Sequence, residues 1–293
     1  IRDAQESRGL GDVYKRQSTY SHNYDNLTDA FIKFTSNLPF YGICVACIDD
    51  NGVKDILKKI HRPVLSYGFS ENADVKASNI QQNELRMTFD VNCSKYDKKF
   101  PVILNLIGNH NILNALAAIT VAIELEIKIE DIQKALLNFS GVSRRLDFHQ
   151  HLSINVYKVP LFDDYGHHPN EISAVVSTLR NTYPDKRLLV IFQPHRYSRT
   201  RDLFNDFVSC LSKVDALVLL NIYSANEAPI NTVSSSTLAD SIRRRSSIDP
   251  IVVKNIDEII EILPNIASED DVILTLGAGD VRKIPHQLKD HFS

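Results

Sequence analysis

The chain has 293 residues, of which 43% are hydrophobic and 24% charged, with a formal net charge of −3 and a sequence pI near 6.4. Such a composition excludes a disordered polymer and suits a protein of two domains with real cores. The slight acidity gives no overall basic field, so neither nucleic acid nor an anionic membrane surface is expected as a partner.

The longest apolar run, residues 115–123 with one Thr, is far short of the roughly 20 residues a bilayer span needs. No secretory segment opens the chain, and a cytoplasmic location is expected. The four cysteines (Cys44, Cys47, Cys93, Cys210) lack a dense or regular spacing, which fits reduced buried thiols better than a disulfide framework. Cys44 and Cys47 form a CxxC inside an apolar strand-like run with no second Cys pair, so no metal site is expected there. The single Met is Met87 and the chain opens on Ile1, so the sequence reads as a piece of a longer protein.

Residues 1–17, IRDAQESRGLGDVYKRQ, are polar and aperiodic; they are read as a junction outside the fold, expected to be disordered. From Ser18 onward short β-like runs alternate with helical stretches, an α/β signature. FYGICVACIDD and PVLSYGF read as strands around the short helix VKDILKKI, and ELRMTFDVN pairs with KKFPVILNLIG through CSKYD. A helix begins after Gly108, with Ile112, Leu116, Ile119 and Ile123 on one stripe. IEDIQKALLNF is a second helix, and SGVSRRLDF closes the first half, giving domains over 18–149 and 150–293.

The second half predicts a Rossmann-like, doubly wound domain of about five parallel strands: INVYKVPLFDD, RLLVIF, ALVLLNIY, PIVVK and DVILTLG. PNEISAVVSTLRNTY is a helix with Pro169 in its first turn and Ile172, Val175, Val176 and Leu179 on one face. DLFNDFVSCLSKV is a crossover helix with Leu203, Phe204, Phe207, Val208 and Leu211 inward. Ligands of such sheets bind beyond the carboxyl ends of the strands. The segments there are DDYGHHP, QPHRYSRTR, YSANEAP and GAGD.

Asp163 and Asp164 can hold a ribose hydroxyl, an ammonium or a magnesium-bound water, or can cap and salt-bridge. Adjacent His167 and His168 cannot aim at one point from a regular strand, so one is read as a ligand contact and the other as packed or capping. Residues 193–201 carry three Arg and one His; they suit a carboxylate or phosphate, with a solvated loop as the bland alternative. Asn111 and Asn114, three apart at a helix start, can read an adenine edge or cap the helix. Ser143 to Arg145 is a phosphate contact or a surface pair, and GAGD permits close backbone approach.

Taken in order, DNLTDAFIKFTSNLPFYG, GNHNILNALAA, GVSRRLDF, DDYGHHPNEI, FQPHRYSRTRDLFNDF, EAPI and LTLGAGDV resemble the recurrent blocks of the Mur ligase family. DDYGHHP together with QPHRYSRTR is similar to the alanine-adding branch rather than the murein-peptide recycling branch. The resemblance implies part of a central ATPase domain followed by a C-terminal amino-acid-binding domain. The reaction it implies is ATP-dependent, Mg2+-assisted ligation of L-alanine to UDP-N-acetylmuramate in peptidoglycan synthesis. It also implies that Asn111, Asn114, Arg145 and Asp164 contact the nucleotide, Arg145 and Asp164 acting in catalysis. Tyr165, His167, His195, Arg196 and Arg199 would line the alanine pocket, with the arginines on its carboxylate.

None of the ten glycines precedes a Lys, so the phosphate-cradling GxxxxGK[ST] loop such a ligase needs lies outside this sequence. The Glu and His metal ligands that the family carries upstream of the Thr19-Tyr20 pair are missing too. The chain by itself is therefore expected not to catalyse ligation. Two alternatives stay open: a non-catalytic binder of amino acid or nucleotide, and an unrelated oxidoreductase, which the lack of GxGxxG disfavours.

Overall fold

Residues 24–293 are described here in a computed structural model, and the chain divides into two compact units at Ser140/Gly141. The junction read over 1–17 and the Thr19-Tyr20 pair lie outside the described residues.

The first unit carries a five-stranded sheet of order β1-β2-β3-β4-β5: β1 (Cys44–Cys47), β2 (Val64–Gly68), β3 (Val75–Asn83), β4 (Arg86–Cys93) and β5 (Lys98–Leu104). β1, β2 and β3 run parallel, and β3, β4 and β5 are antiparallel neighbours. Strict alternation sends Met87, Phe89, Val91 and Cys93 of β4, and Phe100, Val102 and Leu104 of β5, to the same interior.

Helices α1 (Tyr24–Ser36) and α2 (Asn51–Leu57) meet in a small cluster around Leu27 and Ile56. Helix α3 (Asn109–Glu124) lays Ile112, Leu116, Ile119 and Ile123 on the sheet, each no more than 2% exposed, and α4 (Ile129–Asn138) adds Ile132. Burying each such side chain contributes about 1.5–3 kcal/mol.

Strand β3 is absent from the sequence reading. Only Val75 and Ala77 of it are buried apolar residues, and its polar second half, Asn79 to Asn83, is exposed. A strand held by backbone pairing rather than by side-chain burial leaves no hydrophobic period to read.

The second unit is a six-stranded sheet of order β10-β9-β8-β11-β7-β6. Its strands are β6 (Asp147–Ile154), β7 (Tyr157–Asp164), β8 (Arg187–Phe192), β9 (Ala216–Leu220), β10 (Ile251–Val253) and β11 (Asp271–Leu276). Five run parallel, as expected, and β6 pairs antiparallel to β7 at the edge. The expected strand INVYKVPLFDD is β7 preceded by a tight turn, and the strand before that turn, β6, is absent from the sequence reading. Asn155 adopts φ 53°, Val156 is 88% exposed, and Ile154 pairs with Tyr157 across the turn. Because β6 begins at Asp147, a boundary at 149/150 would cut it, and the compact units part at 140/141 instead.

Helices α5 (Pro169–Thr182), α6 (Tyr197–Asp202), α7 (Phe204–Leu211), α8 (Ser235–Arg245), α9 (Ile256–Ile266) and α10 (Ile284–His291) complete this unit. The expected crossover helix is preceded by α6 and breaks at Leu203; Phe207, Val208 and Leu211 are buried, while Leu203 and Phe204 are only half-buried.

Candidate functional site

In the second unit the parallel strands end in register. Leu276 pairs with both Asp164 and Phe192, and Phe192 pairs with Leu219. The segments after β7, β8, β9 and β11 therefore share one edge, and backbone bonds stitch them together. Gly277 N–H donates to Asp164 O at 3.1 Å, Tyr223 N–H to Pro194 O at 2.8 Å, and Arg196 N–H to Tyr223 O at 2.8 Å. A Cβ on Gly277, whose φ is 136°, would stand 2.7 Å from Gln193 O, and one on Gly279 would meet the Gln193 and Tyr223 side chains. The close approach read into GAGD is thus to the neighbouring strand end.

The tandem aspartates anchor this edge. Asp163 accepts from Arg144 Nε at 2.8 Å and from Thr275 Oγ1 at 2.6 Å. Asp164 accepts from Leu146 N–H and Gly166 N–H, both at 2.7 Å. The loop 144–146 is thereby pinned to the sheet with Arg144 at φ 62° and Leu146 at φ 51°, and Arg144 Nη2 also donates to Gly277 O. Arg145 sits half-buried between them, its guanidinium carbon 5.9 Å from the Tyr165 ring centre. Arg144 escaped the sequence reading, although its neighbour was chosen, because SRR does not say which arginine turns inward.

The two histidines divide their work. His168 caps α5, its Nδ1 accepting from Asn170 N–H at 3.3 Å. Glu171, buried, accepts from the backbone N–H of both His167 and His168 at 3.1 and 3.2 Å. The His167 ring is buried in a row of rings: Tyr165 at 5.0 Å, His195 at 5.9 Å, then Tyr223 stacked on His195 at 5.3 Å.

Arg199 lies 3.3 Å from both His195 Nδ1 and His195 O. A guanidinium only donates, so the neutral His195 ring carries its proton on Nε2. Burial, then the positive charges of Arg199 and Arg196, hold the His195 pKa below its ordinary 6.5. Burial and Arg196 also lower the Arg199 value. Among the described residues Arg199 has no carboxylate within ion-pair distance, whereas Arg196 has Glu227 at 3.6 Å. A half-desolvated cation without a carboxylate is a ready acceptor for an anionic ligand.

In the first unit Asn111 is buried at the start of α3 and its Nδ2 donates to Ile107 O at 2.8 Å, while Asn114, exposed, reaches Asn111 Oδ1 at 3.4 Å. Cys44 and Cys47 stand three apart on a strand, which puts them on opposite faces, and burial raises both thiol pKa values. Among the described residues no group of three or more His, Cys, Asp or Glu is placed to hold a metal ion, and no helix is long and apolar enough to cross a membrane.

Comparison with known proteins matches residues 19–122 to the Mur ligase middle domain and residues 144–279 to the Mur ligase glutamate ligase domain. The chain belongs to the Mur ligase family. It is 57% identical, over 96% of its length, to the UDP-N-acetylmuramate--L-alanine ligase of Vesicomyosocius okutanii, and covers 60% of that protein. A Mur ligase fold is also seen in the UDP-N-acetylmuramate-alanine ligase of Thermotoga maritima, with TM-score 0.73 at 22% identity over 94% of this chain and 56% of the other. The MurF ligase of the same organism, solved in complex with ADP, gives TM-score 0.68 at 16% identity over 92% and 58%. The chain therefore spans about 60% of the length of the curated Mur ligases it matches.

Proposed function

We propose that this chain is part of an enzyme that joins L-alanine to UDP-N-acetylmuramate using ATP, in peptidoglycan synthesis. The observation that carries the reading is the 57% identity, over almost the whole chain, to a protein named for that reaction. The geometry of the second unit supports it: the carboxylate-free guanidinium of Arg199 stands beside a neutral, donating His195, with Tyr165 and His167 alongside.

In this reading Arg199 and Arg196 take the alanine carboxylate, a pairing suited to the planar fork of Arg. His195 Nε2–H adds a donor, and Tyr165 and His167 line the side of the pocket. Keeping His195 neutral prevents a third full positive charge beside the two arginines. It also lets the ring donate without repelling the alanine ammonium before that group loses its proton.

For the nucleotide, Arg145 is the basic group and Asp164 the carboxylate. Two backbone amides fix the Asp164 oxygens, and the side chain is buried at the strand edge. On the first unit, taken by itself, Asn114 is exposed and its Nδ2 donates to Asn111 Oδ1. ATP, when bound, supplies the phosphoryl group that activates the muramate carboxylate. Among the described residues no group of three or more His, Cys, Asp or Glu is placed to hold Mg2+.

Phosphate release tests the proposal. The chain is joined to the remaining length of its relatives and supplied with ATP and UDP-N-acetylmuramate. L-Alanine is expected to drive release well above glycine, serine or a tripeptide. Equal release with the tripeptide would overturn the substrate assignment.

A further inference from the structure

Glu227, the first residue of the EAPI block, carries none of the assigned roles, yet two hydrogen-bond donors and a guanidinium converge on its carboxylate. Ser198 Oγ donates to Oε1 at 2.6 Å, Ser198 N–H to Oε2 at 2.9 Å, and Arg196 Nη1 stands 3.6 Å from Oε1. Ser198 and Arg196 belong to the turn that starts α6, the short helix carrying Arg199. The hydrogen bonds and the Arg196 charge keep Glu227 ionised, its pKa below the ordinary carboxylate value although burial opposes this.

The backbone on both sides is forced into place. Ala225 and Asn226 adopt φ 49° and 68°, and Arg196 adopts φ 74°. Left-handed conformations at non-glycine residues cost on the order of 1–3 kcal/mol each and persist only where their surroundings hold them. Here two of them lead straight into Glu227 and the third stands two residues before the serine it grips.

We infer that Glu227 is a positioning residue for the amino-acid carboxylate: it clamps the first turn of α6 and engages Arg196, so that Arg199 is aimed while remaining unpaired. Arg199 sits one helical turn beyond Arg196, and its partners are His195 atoms in the same loop. A turn free to swing would carry Arg199 and the His195 ring with it. The clamp has a second electrical effect. The Glu227 carboxylate partly offsets the positive charge of Arg196 and, together with Glu171, opposes the lowering of the Arg199 pKa by burial and Arg196.

This inference rests on the proposed alanine site, and its test separates the two. In the complete ligase, Glu227→Gln removes the charge and places a donor against Ser198. The KM for L-alanine should rise roughly tenfold, the size of a lost charged hydrogen bond. The kcat, the KM for ATP and the Tm should stay close to wild type. Glu227→Asp keeps the charge with a shorter reach and should recover part of the loss. An unchanged KM for L-alanine, or a parallel fall in kcat and Tm, would overturn the inference. If wild type releases no phosphate with L-alanine, the alanine reading fails on its own. The clamp is then judged in the 293-residue chain, where Glu227→Gln should speed exchange of the Ser198 amide proton; equal exchange rates would overturn it.

Discussion

Arg144 and Asp163 form an ion pair at the strand edge, Nε to Oδ2 2.8 Å, with the Asp163 side chain 2% exposed and that of Arg144 18%. Nineteen residues apart in sequence, they hold the loop before β6 against the end of β7. Breaking such a buried pair from one side leaves the partner uncompensated, which costs about 3–5 kcal/mol. Asp163→Ala is therefore expected to lower the unfolding free energy of the second unit by about that amount. Urea unfolding followed by circular dichroism measures it, and a loss below about 1 kcal/mol would show the pair to be ornamental.

His195 should titrate below 6.5, since burial and two arginines disfavour its charged form. The folded chain then binds fewer protons at this ring than the unfolded chain does. The associated stability is complete above about pH 6.5 and falls as the pH drops through 6.5 toward the folded value. Replacing Arg199 with Gln removes one of the charges and should move the His195 midpoint upward, as read from its ring proton shifts in NMR. An unmoved midpoint would detach the two residues.

At Gly277 the backbone takes φ 136°, and a methyl group would meet Gln193 O at 2.7 Å. Gly277→Ala should destabilise by more than about 1 kcal/mol, because both the conformation and the space reject a side chain. Thermal unfolding detects this as a drop of several degrees, and an unchanged midpoint would show that the strand edge relaxes around the added methyl.

Leu116, fully buried under the first sheet, makes the matching case for the other unit. Leu116→Ala should cost about 2–5 kcal/mol, depending on how far the cavity collapses. Proteolysis should then cut residues 24–140 before 141–293, and equal cutting would show that the two units do not unfold separately.

Much of this molecule was legible from side chains alone. The stripe on α3, the apolar runs of β7, β8, β9 and β11, and Pro169 at the start of α5 report their own burial, since period and composition follow directly from which face is dry. The polar segments after the strands were legible for a similar reason: a parallel sheet leaves its carboxyl edge open to ligands.

What the sequence by itself determined is the family, the α/β class, most elements, and which polar segments follow the parallel strands. What only the tertiary structure decided is which of them are occupied by the protein itself. Asp163, Asp164 and His168 hold the edge together, Arg199 is left without a carboxylate, and β3 and β6 exist through pairing with neighbours. The division has a physical cause. A side chain's chemistry is local and can be read along the chain, but its partners are set by strands and turns that meet only when the chain has folded.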